Sequence, residues 1–189
     1  TVAAFIAEPV QGAGGVIIPP STYWPEIQRI CDKYGILVVS DEVICGFGRT
    51  GNWWGCETFG FRPDLMTFAK GVTSGYIPLG GVMVGDRVAE VLIGQGGEFA
   101  HGYTYSGHPV ACAVALANIR LIQRERLVER VRDDLGPYLA RHFEALAGHG
   151  DRILATGLRA TDLAMRLKYA GLEREVELDP ERALTRHLD

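Results

Sequence analysis

Hydrophobic residues in the first half of the chain are grouped in short, continuous runs. Runs of this length without polar alternation are typical of strands in a parallel sheet that helices cover on both faces. Between the first two runs, Ser21–Tyr34 has the pattern of a helix, with Ser21 or Thr22 as its N-cap, Pro25 in its first turn and Gly35 at its end. The order strand, helix, strand is a βαβ unit, so the sequence predicts an α/β fold. The predicted strands are Val2–Ala7, Ile36–Val39, Leu65–Ala69 and Gly81–Val84.

Composition divides the chain into two parts. Residues 1–119 contain 19 of the 24 glycines and 16 charged residues, whereas residues 120–189 contain 26 charged residues. The glycine-rich part indicates buried strands joined by tight loops, and the charge-rich part indicates exposed amphipathic helices. Two longer helices are predicted at His108–Arg124 and Leu127–Leu146, with a break near Gly136-Pro137.

Several classes of function are disfavoured by composition. The net charge of −4 offers no basic surface for nucleic acid, and no apolar run reaches the ~18 residues of a membrane-spanning helix. The four cysteines show no CxxC spacing, so we expect no metal site and buried, reduced thiols in a cytoplasmic protein. The chain starts at Thr1 within an apolar run, which we interpret as a cut.

Two predicted strands end in groups that a buried strand does not need. One is followed by Asp41, and the next by Lys70, 29 residues later. Ligands of open α/β sheets bind outside the carboxyl ends of the strands. A lysine that attacks a carbonyl works best when burial lowers its pKa. A nearby carboxylate raises that pKa, unless the carboxylate is paired with another group. Pyridoxal phosphate would be such a group, because its protonated ring nitrogen pairs with an aspartate. The spacing also allows a structural ion pair between Asp41 and Lys70 without a cofactor.

Four local motifs occur in the order and spacing of a known family: AFIAEPVQGAGG at Ala4–Gly15, SDEVICGFGRTG at Ser40–Gly51, FAKGVTSGYIPLGG at Phe68–Gly81 and GYTYSGHPVA at Gly102–Ala111. Together they resemble the class III aminotransferases, most closely the omega-aminotransferases that use pyruvate as amino acceptor. The resemblance covers about residues 1–148. It implies the large domain of a fold-type I pyridoxal-phosphate transferase, a mostly parallel sheet flanked by helices, in incomplete form.

The resemblance also implies roles for individual residues. Lys70 would hold pyridoxal phosphate covalently and later act as the general base, and Asp41 would pair with the ring nitrogen. Val43 would pack against the ring. Thr104 would hydrogen-bond the phosphate held by the neighbouring subunit, since the resemblance implies a homodimer with shared active sites.

Two departures from the wider family bear on the substrate. Relatives that act on ornithine or γ-aminobutyrate have a second glutamate where this chain has Ala13, and a glutamine where it has Ile44. Both departures match the omega-aminotransferase branch. The implied reaction moves an amino group from an amine or amino acid to a 2-oxo acid, with pyruvate as the expected acceptor.

The implied domain organisation is partial. We expect residues 1–120 to be part of the cofactor-binding domain, 121–150 a helical connection toward a small domain, and 151–189 a divergent or truncated segment. The family's upstream phosphate cradle, stacking aromatic residue and carboxylate-binding arginine have no identifiable match. Two alternatives therefore stay open: a fragment that folds or dimerises without turnover, and an aminomutase built on the same motifs. We expect the 189-residue chain alone not to catalyse transamination.

Overall fold

A computed structural model describes residues 1–135 and the backbone of two further strands. The strands of the described chain are β1 (Ala4–Ala7), β2 (Leu37–Asp41), β3 (Leu65–Phe68), β4 (Gly81–Val84), β5 (Ile153–Thr156) and β6 (Arg174–Glu177). Its helices are α1 (Tyr23–Tyr34), α2 (Gly55–Phe59), α3 (Asp86–Gly94), α4 (Pro109–Arg124) and α5 (Leu127–Arg130).

The four predicted strands form one sheet in the order β1-β2-β3-β4. β1 pairs parallel with β2, and β2 pairs parallel with β3. The helix α1 connects the first two strands, so the predicted βαβ unit and the α/β fold class are confirmed. In the β2–β3 register, Asp41 lies opposite Thr67.

The edge strand β4 differs from the parallel arrangement that its apolar run predicted. It pairs antiparallel with β3, with Gly81 opposite Phe68. A parallel return needs a crossover connection, usually a helix, that brings the chain back to the other end of the sheet. Between Phe68 and Gly81 the chain forms only a 3₁₀ turn at Lys70–Thr73, so it re-enters the sheet from the end at which β3 leaves it.

The helix α1 matches its predicted bounds closely. Thr22 occupies the N-cap position, although its side chain makes no capping hydrogen bond. Gly35 ends the helix in a left-handed conformation with φ of 67°, which a residue without a Cβ adopts at little cost.

The core of the sheet unit lies between α1 and one face of β2. Its buried members are Trp24, Cys31, Val38, Cys56 and Phe61. The Trp24 ring stacks on the Phe61 ring at a centroid distance of 3.8 Å, and its indole N–H donates to the carbonyl of Pro9 at 3.1 Å. Buried aromatic side chains contribute large apolar areas, so this stack holds α1 against the segment between α2 and β3.

The second half of the chain is only partly described. The helix α4 confirms the prediction at His108–Arg124, whereas Leu127–Leu146 starts as α5 and continues as a wider π-helical turn at Val131–Leu135. The predicted remainder of that helix and the break at Gly136-Pro137 lie outside the described residues. The short helices α2 and α3 were not predicted.

Contacts divide the chain into two compact units. One contains Thr1–Gly12 and Ile17–Gly136, and the other contains Ala13–Val16 and Pro137–Asp189. In the second unit, β5 and β6 pair in parallel, a strand arrangement that its charge-rich sequence did not predict. The predicted boundaries at residues 120 and 150 stay predictions. None of the helices in the described part of the chain is long and apolar enough to cross a membrane.

Candidate active site

The carboxyl end of β2 separates two adjacent carboxylates. Side chains alternate between the two faces of a strand, so residues two apart share a face. Val38 and Ser40 are buried on the core face, and Glu42 continues that series. Asp41 therefore projects to the opposite face, on which it is only partly buried. The sequence Asp-Glu thus places one acid at the rim of the sheet and the other in the core.

Glu42 is fully buried, and three donors surround its carboxylate. The Ser40 hydroxyl donates at 3.0 Å, and the backbone N–H groups of Gly55 and Cys56 donate at 2.7 Å each. The last two groups are free N–H donors of the first turn of α2. Glu42 therefore fixes α2 to the end of β2, a structural role that the sequence analysis did not assign. Alternation along β2 was the signal that could have found it.

Asp41 is held at the rim by its own backbone. Its Oδ1 accepts a hydrogen bond from the N–H of Val43 at 3.1 Å, a local turn that aspartate commonly forms. Thr67, its partner in the register, faces the same side of the sheet. The Thr67 hydroxyl is a buried oxygen without a hydrogen-bond partner among the described residues. The carboxyl end of the paired strands β2 and β3 therefore offers both a carboxylate and an unused hydroxyl.

Lys70 follows β3 on the neighbouring strand. It begins the 3₁₀ turn Lys70–Thr73, and its own backbone is left-handed, with φ of 42°. The side chain is exposed and lines an open cavity of about 750 Å³. Among the described residues Lys70 is thus exposed, whereas a lysine that attacks a carbonyl works best when it is partly buried. Other lining residues include Thr73, Ile77, Tyr103, Tyr105 and Ser106.

The structure distributes the predicted site residues as follows. Lys70 lines the cavity, whereas Asp41 and Val43 lie at the end of the adjacent parallel strand and do not line it. Thr104 is exposed and also does not line the cavity, although Tyr103 and Tyr105 on either side of it do. The ion pairs of the described chain do not include one between Asp41 and Lys70. The structural ion pair considered as an alternative is therefore not formed.

The glycine loop after β2 packs against the turn that carries Lys70. Phe47 adopts a left-handed φ of 60°, and its N–H donates to the carbonyl of Trp53 at 2.7 Å. Its ring meets Gly71 so closely that a Cβ there would lie 3.0 Å from the ring. The glycine after the lysine thus lets the two loops approach each other.

An amide on α4 also contacts the Lys70 turn. The Nδ2 of Asn118 donates to the carbonyls of Gly71 and Val72, and its Oδ1 accepts from the hydroxyl of Ser74. The sequence analysis did not single out Asn118. At the start of the same helix, His108 acts as the N-cap, and its Nδ1 accepts from the N–H of Ala111 at 3.4 Å. His108 therefore caps the first turn of α4.

The cysteines and acids suggest no other chemistry at this site. All four cysteines are free. Burial, followed by the charge of Glu42, raises the pKa of the Cys56 thiol to about 12, and burial also raises the pKa of Cys31 and Cys45. In the described part of the chain, no group of three or more histidine, cysteine or acidic residues could hold a metal ion.

The described groups fit the reactive end of pyridoxal phosphate. A Schiff-base partner needs an accessible amine beside an open volume, which Lys70 provides. A protonated ring nitrogen needs a fixed carboxylate, which Asp41 provides at the end of the adjacent strand. The hydroxyl of Thr67 adds a buried polar group that has no hydrogen-bond partner among the described residues.

Comparison with known proteins gives the family. The sequence profile described as Aminotransferase class-III matches residues 1–158. The chain belongs to this family. The match ends about ten residues beyond the stretch of about residues 1–148 that the resemblance covers. The fold-type prediction agrees with it, because the solved structures that resemble the chain are transaminases.

Individual relatives are similar over most of the chain. The putrescine–pyruvate aminotransferase of Pseudomonas aeruginosa is 63% identical over 148 residues, which are 78% of this chain and 32% of that protein. A transaminase structure from the marine bacterium Virgibacillus has a TM-score of 0.73 and 57% identity, and covers 76% of this chain and 32% of that one. The omega transaminase of Pseudomonas jessenii in complex with PMP has a TM-score of 0.73 and 49% identity, and covers 78% and 33%. The chain thus spans about a third of the length of these relatives.

Proposed function

We propose that the protein uses pyridoxal phosphate, bound covalently through Lys70, to transfer an amino group from an amine donor to a 2-oxo acid. The observation that carries the proposal is the exposed Lys70 amine in an open cavity, one strand away from the fixed carboxylate of Asp41. When bound, this cofactor supplies an electron sink that makes the hydrogen on the donor's amine-bearing carbon acidic.

The residues of this chain would divide the remaining work. Lys70 would hold the cofactor, then move a proton between the carbon atoms of donor and cofactor as a general base. Asp41 would stabilise positive charge on the ring nitrogen, and its bond to the Val43 N–H keeps the carboxylate oriented. The Val43 side chain, which is partly buried, would pack against the ring.

We propose pyruvate as the amino acceptor. Ala13 and Ile44 depart from the residues expected in relatives that act on ornithine or γ-aminobutyrate. The Pseudomonas aeruginosa relative, named for putrescine and pyruvate, supports the same acceptor. The donor would be a primary amine.

We also propose that two copies of the chain form a homodimer in which Thr104 serves the partner's cofactor phosphate. Thr104 is exposed and does not line the cavity of its own chain. Tyr103 and Tyr105 beside it are 76% and 81% exposed. Aromatic side chains of this kind are enriched at interfaces, which supports a second subunit over this segment. The free cysteines support a reducing compartment, and we propose the cytoplasm.

The test of this proposal is to locate the cofactor bond. The chain contains only three lysines, Lys33, Lys70 and Lys168. The full-length protein would be incubated with pyridoxal phosphate, reduced with borohydride and digested. Mass spectrometry would then identify the labelled lysine. We expect the label on Lys70, and none in a Lys70→Arg variant. A label on a different lysine, or no label, would refute the assignment. Formation of alanine from pyruvate with an amine donor would then distinguish transfer from an aminomutase reaction.

A further inference from the structure

We propose that Asn118 is a positioning residue for Lys70 and acts through the backbone of the turn that carries the lysine. Its Nδ2 donates to the carbonyls of Gly71 at 2.9 Å and Val72 at 3.0 Å. Its Oδ1 accepts from the hydroxyl of Ser74 at 2.8 Å. A single side chain thus binds three of the four residues that follow the lysine. The inference rests on the proposed function, because it assumes that Lys70 holds the cofactor.

The turn needs an external anchor because its backbone is strained. Lys70 and Ser74 have φ values of 42° and 51°, in the left-handed region that residues with a Cβ rarely adopt. Such conformations persist only where the surrounding structure holds them. Three backbone hydrogen bonds of the turn are long, because the N–H groups of Val72, Ser74 and Gly75 each donate at 3.3 Å. The Thr73 hydroxyl adds a bond to the carbonyl of Ile77 at 2.7 Å. The bonds of Asn118, at 2.8 to 3.0 Å, are shorter than the three backbone bonds and come from outside the turn.

The anchor lies on a helix that is packed against the rest of the described fold. Asn118 lies on α4, a helix of 16 residues. Ala115 lies three residues before Asn118 and Ile122 four residues after it, so both share its face of the helix. Both are buried. A carboxamide is also the uncharged side chain that can donate two hydrogen bonds and accept a third here. Packing of α4 is thereby transmitted to the Lys70 turn.

The position of the Lys70 backbone decides where its amine lies in the cavity. The φ angle of Lys70 sets the direction in which its side chain leaves the turn. Reactions between held groups are sensitive to such shifts, and a displacement of about 1 Å can cost about a hundredfold in rate. Losing Asn118 should therefore slow the reaction of Lys70 with the cofactor while leaving the rest of the fold intact.

The key variant is Asn118→Leu, which keeps the size of the side chain and removes all three hydrogen bonds. Ser74→Ala removes only one of them. Gln28→Leu is the matched control, because Gln28 is an amide on another helix that accepts from the N–H of Arg62 and donates to Asp32, both at 2.9 Å. It tests the general effect of losing a bridging amide outside the Lys70 turn.

The first measurement does not involve the cofactor. Amide hydrogen exchange would be followed by mass spectrometry in the peptide that contains residues 70–76. We expect exchange at Val72, Ser74 and Gly75 to be on the order of tenfold faster in Asn118→Leu, with a small change in Ser74→Ala and none in Gln28→Leu. Equal exchange in Asn118→Leu and the wild type would overturn the proposal.

The second measurement is the rate at which borohydride-stable label appears on Lys70. We expect Asn118→Leu to form it on the order of tenfold more slowly than the wild type, while Gln28→Leu keeps the wild-type rate. If the wild type labels Lys70 and Asn118→Leu labels it equally fast, the positioning role is wrong and the proposed function stands. If the wild type carries no label on Lys70, the proposed function fails and the positioning role fails with it.

Discussion

Replacing Glu42 with glutamine tests how the fold holds the rim of the site. The Glu42 side chain is fully buried and accepts from the Ser40 hydroxyl and from the N–H groups of Gly55 and Cys56. All three neighbours are donors, so the carboxylate acts only as an acceptor. Glutamine has the same shape but turns one oxygen into an NH₂ group. That group must then face an N–H of α2, donor against donor.

The expected loss follows from these contacts. A hydrogen bond to a charged group contributes about 1.5–3 kcal/mol, and an unsatisfied buried donor costs about 1–3 kcal/mol. Both effects arise at the one oxygen that becomes an NH₂ group, so they do not add in full. We expect the free energy of unfolding to fall by about 3 kcal/mol. In a protein of this size, each kcal/mol lowers the melting temperature by about 2–4 °C, so the predicted shift is roughly 6–12 °C.

The assay is thermal and urea unfolding of the wild type, Glu42→Gln and the control variant Glu57→Gln. Glu57 lies in the same helix, is exposed and accepts one hydrogen bond, from the Trp54 N–H at 3.0 Å. The control should lose less than about 1 kcal/mol, because an exposed hydrogen bond exchanges with water. If Glu42→Gln were as stable as Glu57→Gln, the carboxylate would not be what holds α2 to β2.

Three further predictions concern the site and its surroundings. Asp41→Asn should keep part of the cofactor binding, followed by absorbance, but slow proton abstraction severely; near wild-type turnover would exclude pairing with the ring nitrogen. Mixed dimers of a Lys70→Ala subunit and a Thr104→Ala subunit should contain one intact site if Thr104 acts in the partner, and no intact site if it acts within its own chain. The buried Cys56, whose pKa is raised to about 12, should resist iodoacetamide at about pH 8 while half-buried Cys112 reacts. Equal labelling of the two thiols would contradict that pKa.

Much of the fold was predictable because its signals are local. The apolar runs that became β1, β2 and β3 are continuous and of strand length, and Gly35 ends α1 in the left-handed conformation that glycine favours. The direction of β4 was not predictable from its own residues, since direction depends on the connection before it. The short helix α2 has five residues and is held by Glu42, 13 residues earlier, so its own sequence carries little of the signal.

The site was predictable to a similar extent. Asp41 and Lys70 were identified because each follows an apolar run of strand length, and pairing of β2 with β3 brings their strand ends side by side. Asn118 escaped notice because its contacts are 44 to 47 residues away along the chain and nothing in the helical pattern of α4 marks it. Thr67 escaped for a different reason: a threonine within a strand is common, and only packing leaves its hydroxyl without a partner.

The end of β2 shows why the fold and the site cannot be separated here. Asp41 and Glu42 are neighbours in the chain, yet strand alternation sends one to the rim and the other to the core. Glu42 fixes α2, and the loop between β2 and α2 contains Phe47, whose ring packs against Gly71 beside the lysine. A change in the core acid should therefore reach the lysine through that loop. The unfolding and labelling experiments should agree: Glu42→Gln should slow labelling of Lys70 as well as lower stability, while Glu57→Gln should change neither by much.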